Sequence, residues 1–199
     1  NVGVGGFALP LQADDAHTSE HLLQLIDSQI LGERAVNEAR FQYIHNETGQ
    51  TARNSAPSIR VTGAFTGGGS NRGVSLSDTS RYEFQDVTSL IQGPHLFKFG
   101  GRLRASHVVN GSTANFNGMF TFPSITTYKL TEQGLQQGLT MAQIRASGGG
   151  PNQFTITSGT PRVVITTVDA GVFLQDDWKV RSNVTLSAGL RFETQNNIP

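Results

Sequence analysis

The stretch His95–Ser106 reads HLFKFGGRLRAS and alternates apolar and polar positions along its whole length. Because successive side chains of a β-strand point to opposite faces, this period of two predicts a strand with one apolar and one polar face. The apolar face carries Phe97, Phe99, Gly101, Leu103 and Ala105. The polar face carries Lys98, Gly100, Arg102, Arg104 and Ser106. With three full charges, the polar face has to be in contact with water.

Five further segments show the same alternation with different clarity. Asn183–Thr194, NVTLSAGLRFET, is as regular as the first stretch, and Val36–His45 is a weaker example. Less regular patterns predict strands at His21–Ile30, Arg81–Leu90 and Val168–Trp178. The chain is therefore expected to be all-β, with about six strands.

Strand length distinguishes two architectures with such strands. A strand of twelve residues is roughly 40 Å long, or ~28 Å along the membrane normal at a tilt near 45°. This height matches the ~25 Å apolar band of an outer-membrane barrel. Strands of soluble sandwiches usually have about 5–6 residues. Length therefore favours a transmembrane barrel, and a soluble sandwich with its polar face in water stays open as the alternative.

The connections between the strands alternate in length. Short turns are expected at Leu31–Ala35, Gln92–Pro94 and Asp177–Ser182, and long connections at about 46–80 and 109–162. In an antiparallel order all three short turns fall at one end and both long connections at the other. Outer-membrane barrels have short periplasmic turns and long extracellular loops in the same alternation. The sequence thus predicts an antiparallel transmembrane β-barrel segment with long extracellular loops.

The long connections contain local patterns of their own. Ile59–Phe65 predicts a short loop strand, followed by a flexible glycine-rich segment at Gly67–Ser70. Met141–Ser147 predicts a short helix, because Thr140 and Gln143 have the spacing of a capping box. Gly134 and Gly138 argue against helix farther upstream. In Asn115–Phe122 the aromatic residues share one face and are expected to pack the loop rather than grip a ligand.

Composition excludes several classes of protein. The 15 Lys and Arg residues balance 15 Asp and Glu residues, so the surface lacks the basic charge that nucleic-acid binding requires. There is no Cys for disulfides, thiolate metal sites or a thiol nucleophile. No apolar run approaches the ~18 residues of a spanning helix. The chain starts at Asn1 with no export signal, so we expect that a leader has been removed or that the chain is an interior fragment.

The polar positions of the strands are the candidate site residues. A wide barrel turns this face towards a water-filled interior. The predicted lumen-facing residues are Glu38, Arg40, Lys98, Arg102, Arg104, Arg191 and Glu193. The basic positions of His95–Ser106 could steer an anionic solute. They could also be paired with carboxylates such as Glu83 or Glu193, which we favour.

Other candidate residues indicate structure rather than chemistry. Trp178 lies where a strand meets a short turn, and it is predicted to be an interfacial anchor. Asp176 and Asp177 are adjacent in a strand, so they face opposite sides and cannot share a proton. His17 and His21 have i,i+4 spacing without an accompanying acidic motif. We therefore expect no catalytic site, no metal site and no cofactor.

Three motifs resemble segments of one family. Gly171–Glu193, GVFLQDDWKVRSNVTLSAGLRFE, is similar to a strand–turn–strand segment of TonB-dependent outer-membrane receptors. In that family the segment has an aromatic residue and Gln-Asp-Asp-Trp in the first strand, then a short turn. The second strand has Leu-Thr-Leu followed by Gly-Leu-Arg-aromatic-Glu. Gly93–Gly100 resembles the family's Gly-x-His-x-x-Lys-Phe-Gly turn, and Val36–Phe41 resembles its Val-Asn-Glu-x-Arg-aromatic strand start. The likeness is greatest to the Oar-like subgroup.

This resemblance implies location, partners and function. It implies a receptor in the outer membrane of a Gram-negative type of cell, in contact with outer-membrane lipid and engaged in energy-coupled uptake of an unknown solute. The TonB box and the plug domain have no counterpart here, so residues 1–199 are expected to be part of a single barrel domain whose remaining strands lie outside the chain. TonB would act through the missing plug. The alternative is a soluble all-β binding or adhesion module, possibly carbohydrate-binding.

Overall fold

The computed structural model describes residues 2–196, so both ends of the predicted 1–199 domain, residue 1 and residues 197–199, lie outside the described residues. The fold is built mainly from antiparallel strands. The strands are β1 (Asp14–Ile30), β2 (Ala35–Ala52), β3 (Ser58–Val61), β4 (Phe65–Gly68), β5 (Val74–Gln92), β6 (His95–Ser112), β7 (Met119–Phe122), β8 (Gln153–Thr155), β9 (Arg162–Arg181) and β10 (Val184–Gln195). The helices are α1 (Ile125–Gln136) and α2 (Met141–Ala146), and a 3-10 turn covers Pro10–Gln12.

The six long strands form one sheet in the order β1-β2-β5-β6-β9-β10. Each predicted strand is confirmed, and each is extended at one or both ends. In the β9–β10 pair, Leu190 is opposite Leu174 and Phe192 is opposite Val172, so apolar residues face apolar residues across the ladder. The described sheet is not closed on itself, because β1 and β10 are its outer strands.

One predicted turn was misplaced. The turn expected at Asp177–Ser182 is shorter, because β9 continues to Arg181 and β10 begins at Val184. The physical reason is continued backbone pairing. The N–H of Lys179 donates to the carbonyl of Pro94 at 2.8 Å, which extends the ladder beyond the aspartates.

Two compact units divide the chain. Within the described part of the chain, one contains residues 2–18, 48–77 and 110–163, and the other contains 19–47, 78–109 and 164–196. Among the described residues, the buried hydrophobic side chains of the first unit are Ala13, Val61, Phe122 and Ile144, whereas the second unit has only Val109. The second unit, made from the long strands, therefore has almost no core of its own.

The first unit contains a small sheet in the order β4-β3-β7-β8. The predicted loop strand Ile59–Phe65 is a hairpin instead, with β3 and β4 joined by a turn in which Gly63 has φ +72°. The segment Gly67–Ser70 was wrongly predicted to be flexible. Its first two residues belong to β4, and the buried Gln12 side chain donates to the carbonyls of Gly67 and Gly69, both at 2.6 Å.

The helical part of the first unit was predicted in part. Met141–Ala146 is helical, and both hydrogen bonds of its capping box are present. The prediction of no helix upstream was wrong, since α1 includes Gly134. A Cβ at position 134 would lie 2.6 Å from Cγ1 of Ile144, a fully buried residue of α2. Gly134 is therefore tolerated in the helix because it lets α2 pack closely.

We expect Gln12→Leu to loosen the first unit. The substitution leaves buried carbonyls of β4 without their donor, which costs about 1–3 kcal/mol. Hydrogen exchange at the β4 amides should accelerate. Gln133→Leu, the same change at an exposed position of α1, is the control and should leave that exchange unaltered. Equal exchange in both variants would show that Gln12 does not hold β4.

We expect Gly134→Ala to destabilise the α1–α2 packing. Alanine is favoured over glycine by about 1 kcal/mol in a helix, but overpacking against Ile144 costs about 1–3 kcal/mol. Limited proteolysis of residues 124–150 should become faster. The double variant Gly134→Ala, Ile144→Ala is expected to lose this clash while it creates a cavity. Slower cleavage in the single variant would contradict the close packing.

Candidate functional site

The two faces of the long sheet differ in chemistry throughout the second unit. One face presents large apolar side chains that no described residue covers. Leu190 is 82% exposed, Phe192 67% and Leu186 55%. Exposed apolar areas of this kind in soluble proteins mark interaction surfaces. A soluble sandwich would have buried these residues between two sheets, and the structure does not do so.

The opposite face holds the predicted lumen-facing residues, and each of them is in an ion pair. On the β6 side, Lys98 Nζ lies 4.0 Å from Asp177 Oδ2, Arg102 Nη2 lies 3.4 Å from Glu193 Oε1, and Arg104 Nε lies 2.9 Å from Asp169 Oδ1. The other predicted residues also form pairs, namely Arg191 with Glu193, and Arg40 with Glu38. The basic positions of β6 are thus neutralised by neighbouring carboxylates rather than left free.

An open concavity of about 360 Å³ lies on this polar face. Its lining includes Gln42 from β2, Arg81 and Glu83 from β5, Arg104 from β6 and Asp169 from β9. Cationic and anionic side chains alternate around it. The concavity is therefore a polar surface suited to hydrated solutes, with no strong preference for one sign of charge.

Trp178 lies in β9, three residues before the strand ends. Its ring stacks on His95 with a centroid separation of 5.5 Å, and it is 42% exposed on the apolar face. His95 Nδ1 is also 2.7 Å from Asp176 Oδ2. Asp177 is on the other face, near Lys98, so the two aspartates are separated as expected. The anchor role of Trp178 stays a prediction that this geometry is compatible with.

The aromatic residues of the first unit pack against each other. Phe120 lies 4.6 Å from Phe154 between ring centroids, and Phe122 makes an edge contact with Tyr128 at 5.2 Å. Burial, followed by the nearby Glu132 carboxylate, raises the pKa of Tyr128. These contacts support a packing role for the aromatic tract. Among residues 2–196 no group of three or more His, Cys, Asp or Glu side chains is arranged to hold a metal ion.

Sequence reasoning missed a buried polar cluster in the first unit. The Asp14 carboxylate is fully buried, and its Oδ2 accepts from Gln50 at 2.9 Å and from Arg72 at 3.1 Å. Next to it, Arg53 forms a bidentate contact with exposed Asp15, and this hydrogen bonding lowers the pKa of Asp15. No local sequence pattern predicts these pairs, because the two residues of each pair are 36 to 58 positions apart in the chain.

Comparison with known proteins identifies the class of protein to which this architecture belongs. A family model described as outer membrane beta barrel domain matches residues 5–198. The chain belongs to this family, and it is an outer-membrane β-barrel protein in contact with outer-membrane lipid. Comparisons with curated proteins and with solved structures give no match. Neither helix within residues 2–196 has the length and apolar character needed to cross a membrane.

We expect Leu190→Lys to impair the protein much more than Ser187→Lys. Both positions are on β10 but on opposite faces, and Ser187 is opposite Asp177, which can pair with a lysine. A lysine on the lipid face of a barrel costs about 2–4 kcal/mol near the midplane, whereas interior positions are tolerant. The measurement is the folded fraction of each full-length variant after refolding into vesicles. A larger loss for Ser187→Lys would reverse the assignment of the faces.

Proposed function

We propose that the chain is the barrel portion of a TonB-dependent outer-membrane receptor that takes up a solute by energy-coupled transport. The observation that carries the proposal is the β9–β10 hairpin. Its sequence, Gly171–Glu193, has the family's order of motifs, and the motif residues occupy a continuous pair of strands. The Oar-like subgroup is the proposed placement within these receptors.

The chemistry of the polar face supports the proposal of a transport protein rather than that of an enzyme. Its carboxylates are engaged with cationic side chains, as in the Arg104–Asp169 and Arg102–Glu193 pairs. General acid–base chemistry needs a group placed to exchange a proton with a substrate. We therefore propose that the protein catalyses no reaction and that the solute passes along a wet, charge-balanced wall.

The proposed partners follow from the same resemblance. A wide barrel needs a plug to avoid an open channel, and TonB would act through that plug. Both the plug and the TonB contact are assigned to parts of the full-length protein outside this chain. The solute is proposed to be too large for porins, because energy coupling gives no advantage to a solute that diffuses freely.

We expect the full-length protein to form no steady conducting pore and to bind the periplasmic domain of TonB. Planar-bilayer conductance and a pull-down with that domain are the two measurements. A full-length variant that lacks its plug should conduct, which controls for correct insertion. Steady conductance of the intact protein without TonB binding would instead indicate a passive channel.

A further inference from the structure

Three histidines lie in one row across the long sheet, in the second unit. His21 on β1 stacks on His45 on β2 with ring centroids 6.0 Å apart, and His45 Nδ1 lies 3.0 Å from Ser80 Oγ on β5. Thr113, the residue after β6, donates its backbone N–H to the carbonyl of Val74 on β5, so counting six residues back along β6 and six forward along β5 brings His107 opposite Ser80. His107 Nδ1 in turn lies 2.9 Å from Thr166 Oγ1 on β9. We call these five residues the histidine row.

The row is the border of the apolar face. Two residues nearer the short turns, and on the same face, the five strands carry Leu23, Tyr43, Tyr82, Ala105 and Val168. The rings of Tyr43 and Tyr82 stack at 4.9 Å. Aromatic residues of this kind collect at the membrane–water interfaces of barrels. On β1, β2 and β5 the next residues of the same face beyond the row are Ser19, Glu47 and Asp78, so on these strands the histidine row lies where the apolar surface stops, on the side of the long connections.

The distance across the apolar face agrees with this position. On β6 the apolar residues lie between His95, which stacks on Trp178, and His107. These twelve residue steps correspond to about 40 Å along the strand and about 28 Å along the membrane normal at a tilt near 45°. The apolar band of such barrels is ~25 Å tall. His107 is thus at the depth of the lipid headgroups.

The hydrogen bonds of the row occupy Nδ1 of two histidines and leave Nε2 of each ring for an external group. In both His45 and His107, Nδ1 faces a hydroxyl group. When a hydroxyl donates to Nδ1 of a neutral ring, the ring proton lies on Nε2, and a charged ring carries a proton on both nitrogens, so Nε2 can donate in either case. His21 and His107 are exposed. These two rings can therefore meet an external group directly, whereas the His45 side chain is 21% exposed and stacks on the rings of both His21 and Tyr43.

We propose that the histidine row binds the phosphate groups of outer-leaflet lipid headgroups. Long connections of outer-membrane barrels are extracellular, which places the row in the outer leaflet. Imidazole N–H groups donate to phosphate oxygens, more strongly when the ring is charged. This binding holds the barrel at a fixed depth, and it is independent of the proposed transport.

Two carboxylates near the row oppose the binding of phosphate, so the test can include a substitution that is expected to increase binding. Asp78 Oδ1 lies 3.5 Å from His45 Nδ1, and Glu47 follows His45 by two residues on the same face. Each lies two residues farther from the short turns than the row member on its own strand. Their negative charge repels phosphate, so removing it should strengthen the interaction.

The test measures which lipid gathers at the row. The full-length protein carries a donor dye at Val164→Cys, an exposed position two residues beyond Thr166 on the same face, in a background without other cysteines. Vesicles contain diphosphorylated lipid A or its dephosphorylated form, each with an acceptor dye. We expect energy transfer above the random level for the phosphorylated lipid alone. His21→Gln, His45→Gln and His107→Gln combined should reduce it to the random level.

Matched variants distinguish binding at the histidine row from a general effect of protein charge and from an effect of misfolding. Arg81→Gln removes a full charge next to Ser80 but on the opposite face, and it should leave the enrichment unchanged. Asp78→Asn should increase it. If the triple variant does not fold, His107→Gln alone should lower it. Enrichment that survives the triple variant, or that appears with dephosphorylated lipid, would overturn the proposal.

Discussion

The constraint on which the structure depends is that hydrocarbon offers no hydrogen-bond partner to a peptide group. Strands can cross it only when each N–H and C=O is paired with a neighbouring strand. The long ladder from β1 to β10 meets this requirement inside the sheet, while β1 and β10 each have a neighbour on one side only among the described residues. We therefore expect further strands of the full-length barrel to pair with both edges.

The same constraint explains why the two units are stabilised differently. A sheet in lipid needs no side-chain core, because the solvent on its outer face is itself apolar, and the second unit has Val109 as its single buried hydrophobic residue among those described. The first unit has to be stable in water. It consequently has a small core around Phe122 and Ile144, together with buried polar bonds made by Gln12 and Asp14.

The sequence allowed prediction of features governed by local alternation and of little else. The six long strands, the charged face of β6 and the capped helix α2 follow from a period of two or from a four-residue capping pattern, so they were foreseen. Helix α1 was missed because its Gly134 is justified only by contact with Ile144 of another helix. The ordered structure of Gly67–Ser70 and the histidine row were also missed because they depend on contacts with residues far away in the sequence. Gln12 comes from the 3-10 turn far from β4 in sequence, and the partners of His45 and His107 come from other strands.

The pairing of charges on the polar face has a consequence for how a solute would be selected. Ion pairs exposed to water contribute only about 0–1 kcal/mol each, so these pairs matter less for stability than for the electric field in front of the wall. Because Arg102 and Arg104 each face a carboxylate, that field is weak at the distance of a passing solute. Such a wall does not favour anions over cations. If the protein is a receptor, discrimination between solutes then depends on shape and hydrogen bonding in the first unit, where the small sheet and helices present a folded surface.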